Sequence, residues 1–341
     1  MRSWMLFLLL IGVGTAGGLK LWRDRHPDNT HRESTPIEVA EVDATPAEEI
    51  APSVDLDEAP TAPSSDPTVA STPNAAAPNE VDTPGGASAP AEGEARKNAL
   101  ALIEQAGKAQ NPIEQARLFT QALKAGALDK AADEKCYADL LAANQRGLLN
   151  PRVMDLCAQV EVKKGDSLWA ICNRSKKELG AGVTPGLVKL VNGLAKDSIY
   201  PGQKLKIPTA AVSIAVSKSR FRLQVFVGEL LLRRFDVGTG KDDRTPEGEF
   251  TIATRLKDPP WYKPNVGPVP ADSPENVLGT RWLGFAAKEG FPEAATFGIH
   301  GTRDDASIGT ESSNGCVRMH NGEVEELFEW IAEGVKVTIT R

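Results

Sequence analysis

The chain has 341 residues, a formal net charge of -7 and four cysteines. This length allows two or three domains. The cysteines form no Cys-x-x-Cys pair, and no patch combines basic with aromatic residues, which argues against a structural zinc site and against nucleic acid as a partner.

The charge is distributed unevenly along the chain. Residues 33–94 contain 14 Asp and Glu and neither Lys nor Arg, so the other residues carry 39 basic against 32 acidic side chains, a net charge of +7. A modestly basic folded part suits an anionic polymer as a partner, and solubility alone would explain it as well.

The first predicted element is an apolar segment from Trp4 to Trp22, interrupted only by Lys20. It is long enough to cross a bilayer, so residues 1–26 are predicted to be a membrane anchor. A cleavable signal peptide, with its cleavage site at residues 14–16, is the alternative. Both interpretations export the rest of the chain.

Residues 27–94 are predicted to be a disordered linker. They are rich in Pro, Ala, Ser, Thr, Glu and Asp, with ten prolines between Pro36 and Pro90. Such a composition buries too little apolar surface to offset the entropy of ordering. Fully extended, the 62 acidic-segment residues would span roughly 200 Å at about 3.3 Å per residue.

Residues 95–158 show apolar residues at helical spacing, which predicts a short helical bundle. Asn111 and Asn150 each precede a proline and are predicted to cap helices, while Gly126 and Gly147 are predicted to end them. The bundle has two candidate roles, a spacer or a docking site for an unknown protein partner. The spacer is the favoured role.

Residues 159–209 are predicted to form a strand, two helices and a second strand. Val160 begins the first strand, Ser167 caps the first helix, Pro185 opens the second helix and residues 205–207 form the last strand. This unit resembles a LysM domain over its whole length.

The LysM resemblance implies binding of N-acetylglucosamine chains in a groove between the loop after the first strand and the loop before the last. Those loops correspond to Gly165, Asp166, Ser167, Ile199, Tyr200 and Pro201. Trp169 falls on the apolar face of the first helix and is expected in the core. In an oxidising compartment Cys157 is expected to pair with Cys172, which leaves Cys136 buried.

Residues 211–341 read as alternating strands with one helix, which predicts a mostly-β, β-sandwich-like domain with long loops. The helix is predicted over residues 322–333, capped by Asn321 and closed by Gly334. The loop from Pro259 to Pro274 is either a lid over the reactive residues or a surface excursion. The following acidic side chains are predicted to be solvated charges: Asp258, Asp272 and Glu275.

His300 and Cys316 are the pair in the sequence that suits a reaction. His300 ends a short apolar strand, and the polar turn from Ser313 to Gly315 presents Cys316. A cysteine thiol is mostly protonated at neutral pH and needs a base, which His300 would supply. Each residue alone would be read as structural, and their combination in one segment favours catalysis.

Two neighbours of Cys316 are predicted to assist. Gly315 lacks a Cβ atom, so the backbone can fold closely enough for amides near Cys316 to form an oxyanion hole. Arg318 is predicted to hold a substrate carboxylate.

The segments HGT, SIG and SSNGCVRMHN resemble the signature of the YkuD-type L,D-transpeptidases. The resemblance continues through GTGKDDRTPEGEF and VLGTRWLGF and covers about 130 C-terminal residues. It implies a nucleophile at Cys316 and a base at His300, with the family's serine, glycine and arginine at Ser313, Gly315 and Arg318.

The chain departs from the family pattern at two positions. Many members carry histidine where this chain has Asn314, and some carry serine where it has Gly301. A backbone carbonyl near Gly301 is therefore expected to orient the imidazole.

The family resemblance also implies a reaction and a location. Cys316 would attack the third-residue carbonyl of a peptidoglycan stem, release D-alanine and pass the acyl group to an amine of another stem. No metal or organic cofactor is expected, and the bacterial cell envelope is the expected location. Three alternatives remain open: an L,D-carboxypeptidase or cross-link hydrolase with the same site, a non-catalytic wall-binding protein, and attachment of a protein lysine to peptidoglycan.

Overall fold

The computed structural model describes residues 89–180, 182–263 and 266–341. The predicted anchor and residues 27–88 of the predicted linker lie outside the described residues. Within the described ranges, no helix has the length and apolar character needed to cross a membrane.

The helices and strands are numbered here in chain order. The helices are α1 (Ala89–Lys108), α2 (Pro112–Ala125), α3 (Lys130–Arg146), α4 (Leu168–Leu179), α5 (Pro185–Asn192) and α6 (Asn321–Trp330). The strands are β1 (Cys157–Glu161), β2 (Lys204–Pro208), β3 (Val212–Ser217), β4 (Arg222–Val227), β5 (Leu230–Asp236), β6 (Thr239–Gly240), β7 (Gly248–Lys257), β8 (Trp261–Lys263), β9 (Gly267–Val269), β10 (Arg281–Phe285), β11 (Gly298–Thr302), β12 (Glu311–Ser313), β13 (Val317–His320) and β14 (Lys336–Thr340).

The helical segment follows its capping signals in part. The Asn111 side chain accepts a hydrogen bond from the Ile113 N–H at 2.7 Å and so caps α2, as predicted. The prediction of a helix after Asn150 is wrong. Asn150 Oδ1 accepts from the Arg152 N–H in a turn, and this turn leads into β1 and not into a helix. Helix α1 starts at Ala89, inside the stretch predicted as linker.

Helices α2 and α3 cover the edge strand β5. The Leu231 N–H donates to Thr120 Oγ1 at 3.1 Å, and the Leu231 carbonyl accepts from Asn144 Nδ2 at 2.9 Å. The Arg234 N–H donates to the Tyr137 hydroxyl at 3.0 Å. An edge strand exposes backbone groups that can pair with another chain, and these side chains satisfy them. The helical segment is therefore packed against the C-terminal domain at the sheet edge.

The LysM-like unit has the predicted strand, helix, helix, strand order, and β1 pairs antiparallel with β2. It is attached on two sides. The buried Lys206 ammonium donates to the Leu148 carbonyl at 2.6 Å and to the Asn150 carbonyl at 3.0 Å, beyond the end of α3. On the other side, Thr184 Oγ1 donates to the Glu329 carbonyl of α6 at 2.5 Å.

Two expectations for this unit are wrong. Trp169 is 68% exposed and lies outside the core, because it is on the solvent side of α4 while Leu168 and Ile171 are buried. Cys157 and Cys172 do not form a disulfide, and all four cysteines, which the structure describes, are free thiols.

The C-terminal domain is built on one mixed eight-stranded sheet in the order β13-β11-β10-β7-β14-β3-β4-β5. Strand β7 joins its two halves: residues near Gly248 pair with β14, while residues from Ile252 onward pair with β10. Strand β11 runs parallel to β13, and β14 runs parallel to β3. The predicted mostly-β fold is confirmed, and its two halves are continuous through β7.

The start and end of helix α6 differ from the prediction. The helix starts at Asn321 itself and ends at Trp330. The residue at its N-cap position is His320, which makes no side-chain capping bond. Asn321 is therefore not the cap, and its amide binds backbone groups of other elements instead.

Replacing Thr120 by valine tests the contact at the sheet edge. Thr120→Val keeps the side-chain size but leaves the buried Leu231 N–H without its acceptor. We expect a loss of about 1–3 kcal/mol in the free energy of unfolding, measured by urea denaturation. The matched control is Thr340→Val at an exposed position, where we expect a change within about 0.5 kcal/mol. Equal effects would contradict the proposed edge contact.

Candidate active site

The register of three neighbouring strands places the candidate residues on one face of the sheet. His300 of β11 is the direct partner of Arg318 on the parallel strand β13 and of Trp282 on the antiparallel strand β10. Cys316 lies two residues before Arg318, and side chains two residues apart in an extended chain point to the same face. Strands lie about 4.8 Å apart with a rise of about 3.3 Å per residue, so His300 and Cys316 are within side-chain reach.

The His300 imidazole is held in one tautomer. It is buried, it stacks on the Trp282 ring at 5.8 Å between centroids, and its Nδ1 lies 2.5 Å from the Gly301 carbonyl oxygen. A carbonyl oxygen can only accept, so Nδ1 carries the proton and Nε2 has the free lone pair. Burial lowers the pKa of His300 to about 4, so the ring is neutral at pH 7.

The Cys316 thiol is buried and protonated in the free protein. Its Sγ lies 3.9 Å from the Thr296 carbonyl oxygen, toward which it donates. Burial raises the pKa of Cys316 to about 11, although the Gly298 N–H and the Arg318 charge act in the opposite direction. Among the described residues, no hydrogen bond joins the thiol to His300. Because the pKa of the thiol is raised and the pKa of the imidazole is lowered, both groups are neutral at pH 7.

Ser313 and Gly315 shape the loop that carries Cys316. Ser313 Oγ donates to the Cys316 carbonyl at 2.6 Å and accepts from the Gly315 N–H at 3.1 Å. Gly315 has φ +130°, and a Cβ atom there would lie 2.3 Å from the Phe297 ring, so only glycine fits. Because the Gly315 N–H is bound inside the loop, an oxyanion hole would need another backbone amide.

Arg318 brings a positive charge to the wall of the cleft. Its guanidinium is partly buried, and burial lowers its pKa from the usual range. Its Nε is buried and has no hydrogen-bond partner in the described part of the chain. An unpaired donor of this kind is costly unless a ligand satisfies it, which agrees with the predicted carboxylate-holding role.

Trp261, near the start of the loop from Pro259 to Pro274, lines the cleft together with Cys316, which favours the lid interpretation over a surface excursion. The loop contains the hairpin of β8 and β9, and the buried Trp261 packs in one apolar cluster with Leu278, Trp282 and Cys316. Three acidic residues of this region are exposed, as predicted: Asp258, Asp272 and Glu275.

The buried Asn276 holds the two ends of this loop together. Its Nδ2 donates to the Pro259 carbonyl at 2.9 Å and to the Pro270 carbonyl at 3.2 Å, while its Oδ1 accepts from the Leu278 N–H at 2.8 Å. The Asn276 amide therefore stabilises the loop that carries Trp261 to the wall of the cleft.

The segment from Gly238 to Thr245 supports the cysteine loop from the side. Strand β6 pairs in parallel with β12, and a Cβ atom on Gly240 would lie 2.9 Å from the Gly315 Cα. Arg244 Nη1 donates to Asn314 Oδ1 at 3.3 Å. This segment lies within GTGKDDRTPEGEF, part of the family resemblance, for which the sequence indicated no role.

Four apolar residues at the site were given no role from the sequence: Trp261, Val277 and Leu278, which line the cleft, and Trp282, which stacks on His300. Val277, Leu278 and Trp282 lie in the segment VLGTRWLGF of the family resemblance, whereas Trp261 lies in the proline-rich loop. Among the described residues, no group of three or more His, Cys, Asp or Glu side chains is arranged to hold a metal ion.

Comparisons with known proteins agree with this geometry. A family model of the L,D-transpeptidase catalytic domain matches residues 211–339, and a LysM domain model matches residues 160–208. Bacillus subtilis YqjB, named as an L,D-transpeptidase, is 42% identical over 128 residues, which are 37% of this chain and 70% of that protein. This chain belongs to the L,D-transpeptidase family.

Two further comparisons were found, one with a relative and one with a solved structure. Bacillus subtilis YkuD, also named as an L,D-transpeptidase, is 30% identical over 192 residues, which are 53% of this chain and 98% of that protein. A solved L,D-transpeptidase from Enterococcus faecium aligns with 18% identity and a TM-score of 0.31, over 42% of this chain and 56% of that chain. The predicted membership of the family and the presence of a LysM domain are confirmed.

Alkylation of Cys316 should show that the thiol is neutral at rest. Because the pKa of Cys316 is raised to about 11, the thiolate fraction rises about tenfold per pH unit between pH 7 and pH 10. We expect the rate of iodoacetamide labelling, followed by mass spectrometry of the peptide that contains Cys316, to rise in the same way. His300→Ala should leave this pH dependence in place. Fast labelling at pH 7 that the variant loses would instead reveal a preformed thiolate–imidazolium pair.

Proposed function

We propose that this protein is a peptidoglycan L,D-transpeptidase with Cys316 as nucleophile and His300 as base. One observation carries the proposal. Cys316, His300 and Arg318 share one face of the sheet and line one cleft with Trp261, in a chain that belongs to this family. Ser313, Gly315 and the Gly301 carbonyl act by positioning these groups.

In the first half of the reaction, the Cys316 thiol turns from the Thr296 carbonyl toward His300 Nε2. The imidazole takes the thiol proton, and Sγ bonds to the carbonyl carbon of the third stem residue. The imidazolium then protonates the departing amine of D-alanine, which leaves a thioester. The Gly301 carbonyl, which accepts from Nδ1, stabilises the imidazolium between these two proton transfers.

In the second half, the side-chain amine of another stem attacks the thioester, and the thiol is regenerated. The thioester retains the free energy of the cleaved amide, so the cross-link forms without a nucleotide. Water in place of the amine would make the enzyme a carboxypeptidase with the same residues. Arg318 is suited to hold a carboxylate of the stem, because its partly buried guanidinium lines the cleft and its buried Nε is without a protein partner in the described ranges.

The LysM unit is proposed to hold the enzyme on glycan strands within the cell envelope. The two groove loops lie side by side, because the Val162 N–H donates to Gln203 and the Gly202 N–H donates to Val162. The side chains of Asp166 and Ser167 are engaged by helix α4: Asp166 accepts two hydrogen bonds from Arg174 of α4, and Ser167 caps α4.

Other side chains are therefore left for sugar recognition. Tyr200 is 69% exposed at one groove loop, and Trp169 is 68% exposed in the first turn of the helix that follows the other loop. Exposed aromatic faces of this kind suit the apolar faces of sugar rings.

Product analysis tests the catalytic proposal. The full chain is incubated with a soluble disaccharide-tetrapeptide, and products are identified by mass spectrometry. We expect dimers that have lost one D-alanine, with a decrease on the order of 10³-fold or more in Cys316→Ala. Cys157→Ala, which removes a thiol outside the site, should retain wild-type activity. Tripeptide monomers alone would indicate a carboxypeptidase, and unchanged substrate would favour a wall-binding protein.

Point variants on α4 test the LysM proposal better than deletion of the domain, because deletion would uncover the surfaces buried by Lys206 and Thr184. Trp169→Ala should weaken binding to insoluble peptidoglycan by about threefold to tenfold, the loss expected for one aromatic contact. Leu179→Ala, a second exposed apolar position on α4, is the control and should bind normally. Equal binding by both variants would contradict a role for Trp169.

A further inference from the structure

We infer that Asn321 is a positioning residue for His300, because its side-chain amide binds the backbone directly after the Gly301 carbonyl that accepts from the imidazole. The inference rests on the proposed role of His300 as the base. From the sequence, Asn321 was expected to cap α6, and it is the last residue of the signature segment SSNGCVRMHN.

The Asn321 amide links three elements of the domain. Its Nδ2 donates to the Thr302 carbonyl at the end of β11 at 2.8 Å. Its Oδ1 accepts from the Thr280 N–H, just before β10, at 3.1 Å. The residue itself is the first of α6. One side chain therefore ties the end of the His300 strand to the start of a helix and to the segment that enters the neighbouring strand.

Two glycines form the space that this amide occupies. A Cβ atom on Gly301 would lie 2.2 Å from Asn321 Oδ1, and a Cβ atom on Gly279 would lie 2.3 Å from the same oxygen. Gly279 also has φ +64°, which favours glycine. Gly301 and Asn321 are therefore matched.

One of these segments binds the imidazole directly. The Gly301 carbonyl accepts from His300 Nδ1 at 2.5 Å, and the residue after it, Thr302, is the one that Asn321 holds. The other segment, next to Thr280, includes Leu278, which lines the same cleft as His300. If Asn321 let these segments move, the Nδ1 proton would lose its fixed acceptor. The fraction of His300 with a free Nε2 lone pair would then fall.

Three Asn321 variants and one control test this inference. Asn321→Leu removes both hydrogen bonds, and Asn321→Asp keeps the acceptor but loses the donor. The control is Asn192→Leu, because the Asn192 amide binds backbone groups in the same way inside the LysM unit. It donates to the Val188 and Lys206 carbonyls and accepts from the Lys206 N–H. The double variant Gly301→Ala/Asn321→Ala removes the oxygen that a Cβ atom at position 301 would strike.

The readouts are the rate of acylation by a carbapenem-type probe, followed by mass spectrometry, and the nitrogen NMR shifts of His300 in histidine-labelled protein. We expect Asn321→Leu to acylate about tenfold to a hundredfold more slowly. Its His300 should change from the Nδ1–H tautomer to a mixture of tautomers. Asn321→Asp should show a smaller decrease in the acylation rate. The single variant Gly301→Ala should lose acylation, because its Cβ atom strikes Asn321 Oδ1. The double variant, which lacks that oxygen, should recover part of the acylation rate.

The result that would overturn the inference is an Asn321→Leu protein that loses only stability, as Asn192→Leu does, with an unchanged acylation rate and an unchanged tautomer. If Asn321→Leu does not fold, Asn321→Asp and the double variant decide the question with the same two readouts. A wild-type protein that the probe fails to acylate would overturn the proposed function and, with it, this inference. Acylated wild type with unaffected Asn321 variants would overturn the inference alone.

Discussion

The parallel pairing of β11 with β13 is the constraint on which the site depends. It places His300 opposite Arg318 and leaves Cys316 two residues away on the same face. A parallel connection needs a long crossover, and residues 303–316 supply it. That crossover is in turn tied down by β12 pairing with β6 and by the Ser313 bonds inside its last turn. The glycines on both sides of this pairing are required because backbone and side chains approach closely there.

The burial that aligns the site also keeps it unreactive at rest. Desolvation disfavours both the thiolate of Cys316 and the imidazolium of His300, so neither charge exists before substrate arrives. Once proton transfer begins, the Gly301 carbonyl favours the imidazolium and the Arg318 charge favours the thiolate, although the same charge disfavours the imidazolium. In the proposed mechanism, the site therefore becomes reactive only when substrate is bound. Trp261 packs in one apolar cluster with Cys316 beside the bound substrate. A thiol that is protonated when free is also protected from oxidation.

Helix α6 connects the separate parts of the described chain. Near its start, Asn321 holds the segments beside His300, and near its end the Glu329 carbonyl accepts from Thr184 of the LysM unit. The LysM unit is held on its other side by Lys206, whose ammonium donates hydrogen bonds to two carbonyl groups beyond α3. Helices α2 and α3 complete the assembly by covering β5. The proposed glycan-binding unit and the candidate active site are thus joined through packed elements and not through a free linker.

The sequence by itself determined the local features, because these depend on residues a few positions apart. The helix caps at Asn111, Ser167 and Thr184, the strands of the C-terminal domain and the motif around Cys316 all follow from short-range patterns. Only the tertiary structure decided which groups those patterns meet. Trp169 is exposed because no described element covers its side of α4, and the Gly315 N–H is occupied because it donates to Ser313 Oγ. The Asn321 side chain reaches other elements because Gly279 and Gly301 leave space for it. These outcomes depend on packing between distant segments, for which a single sequence carries no periodic signal.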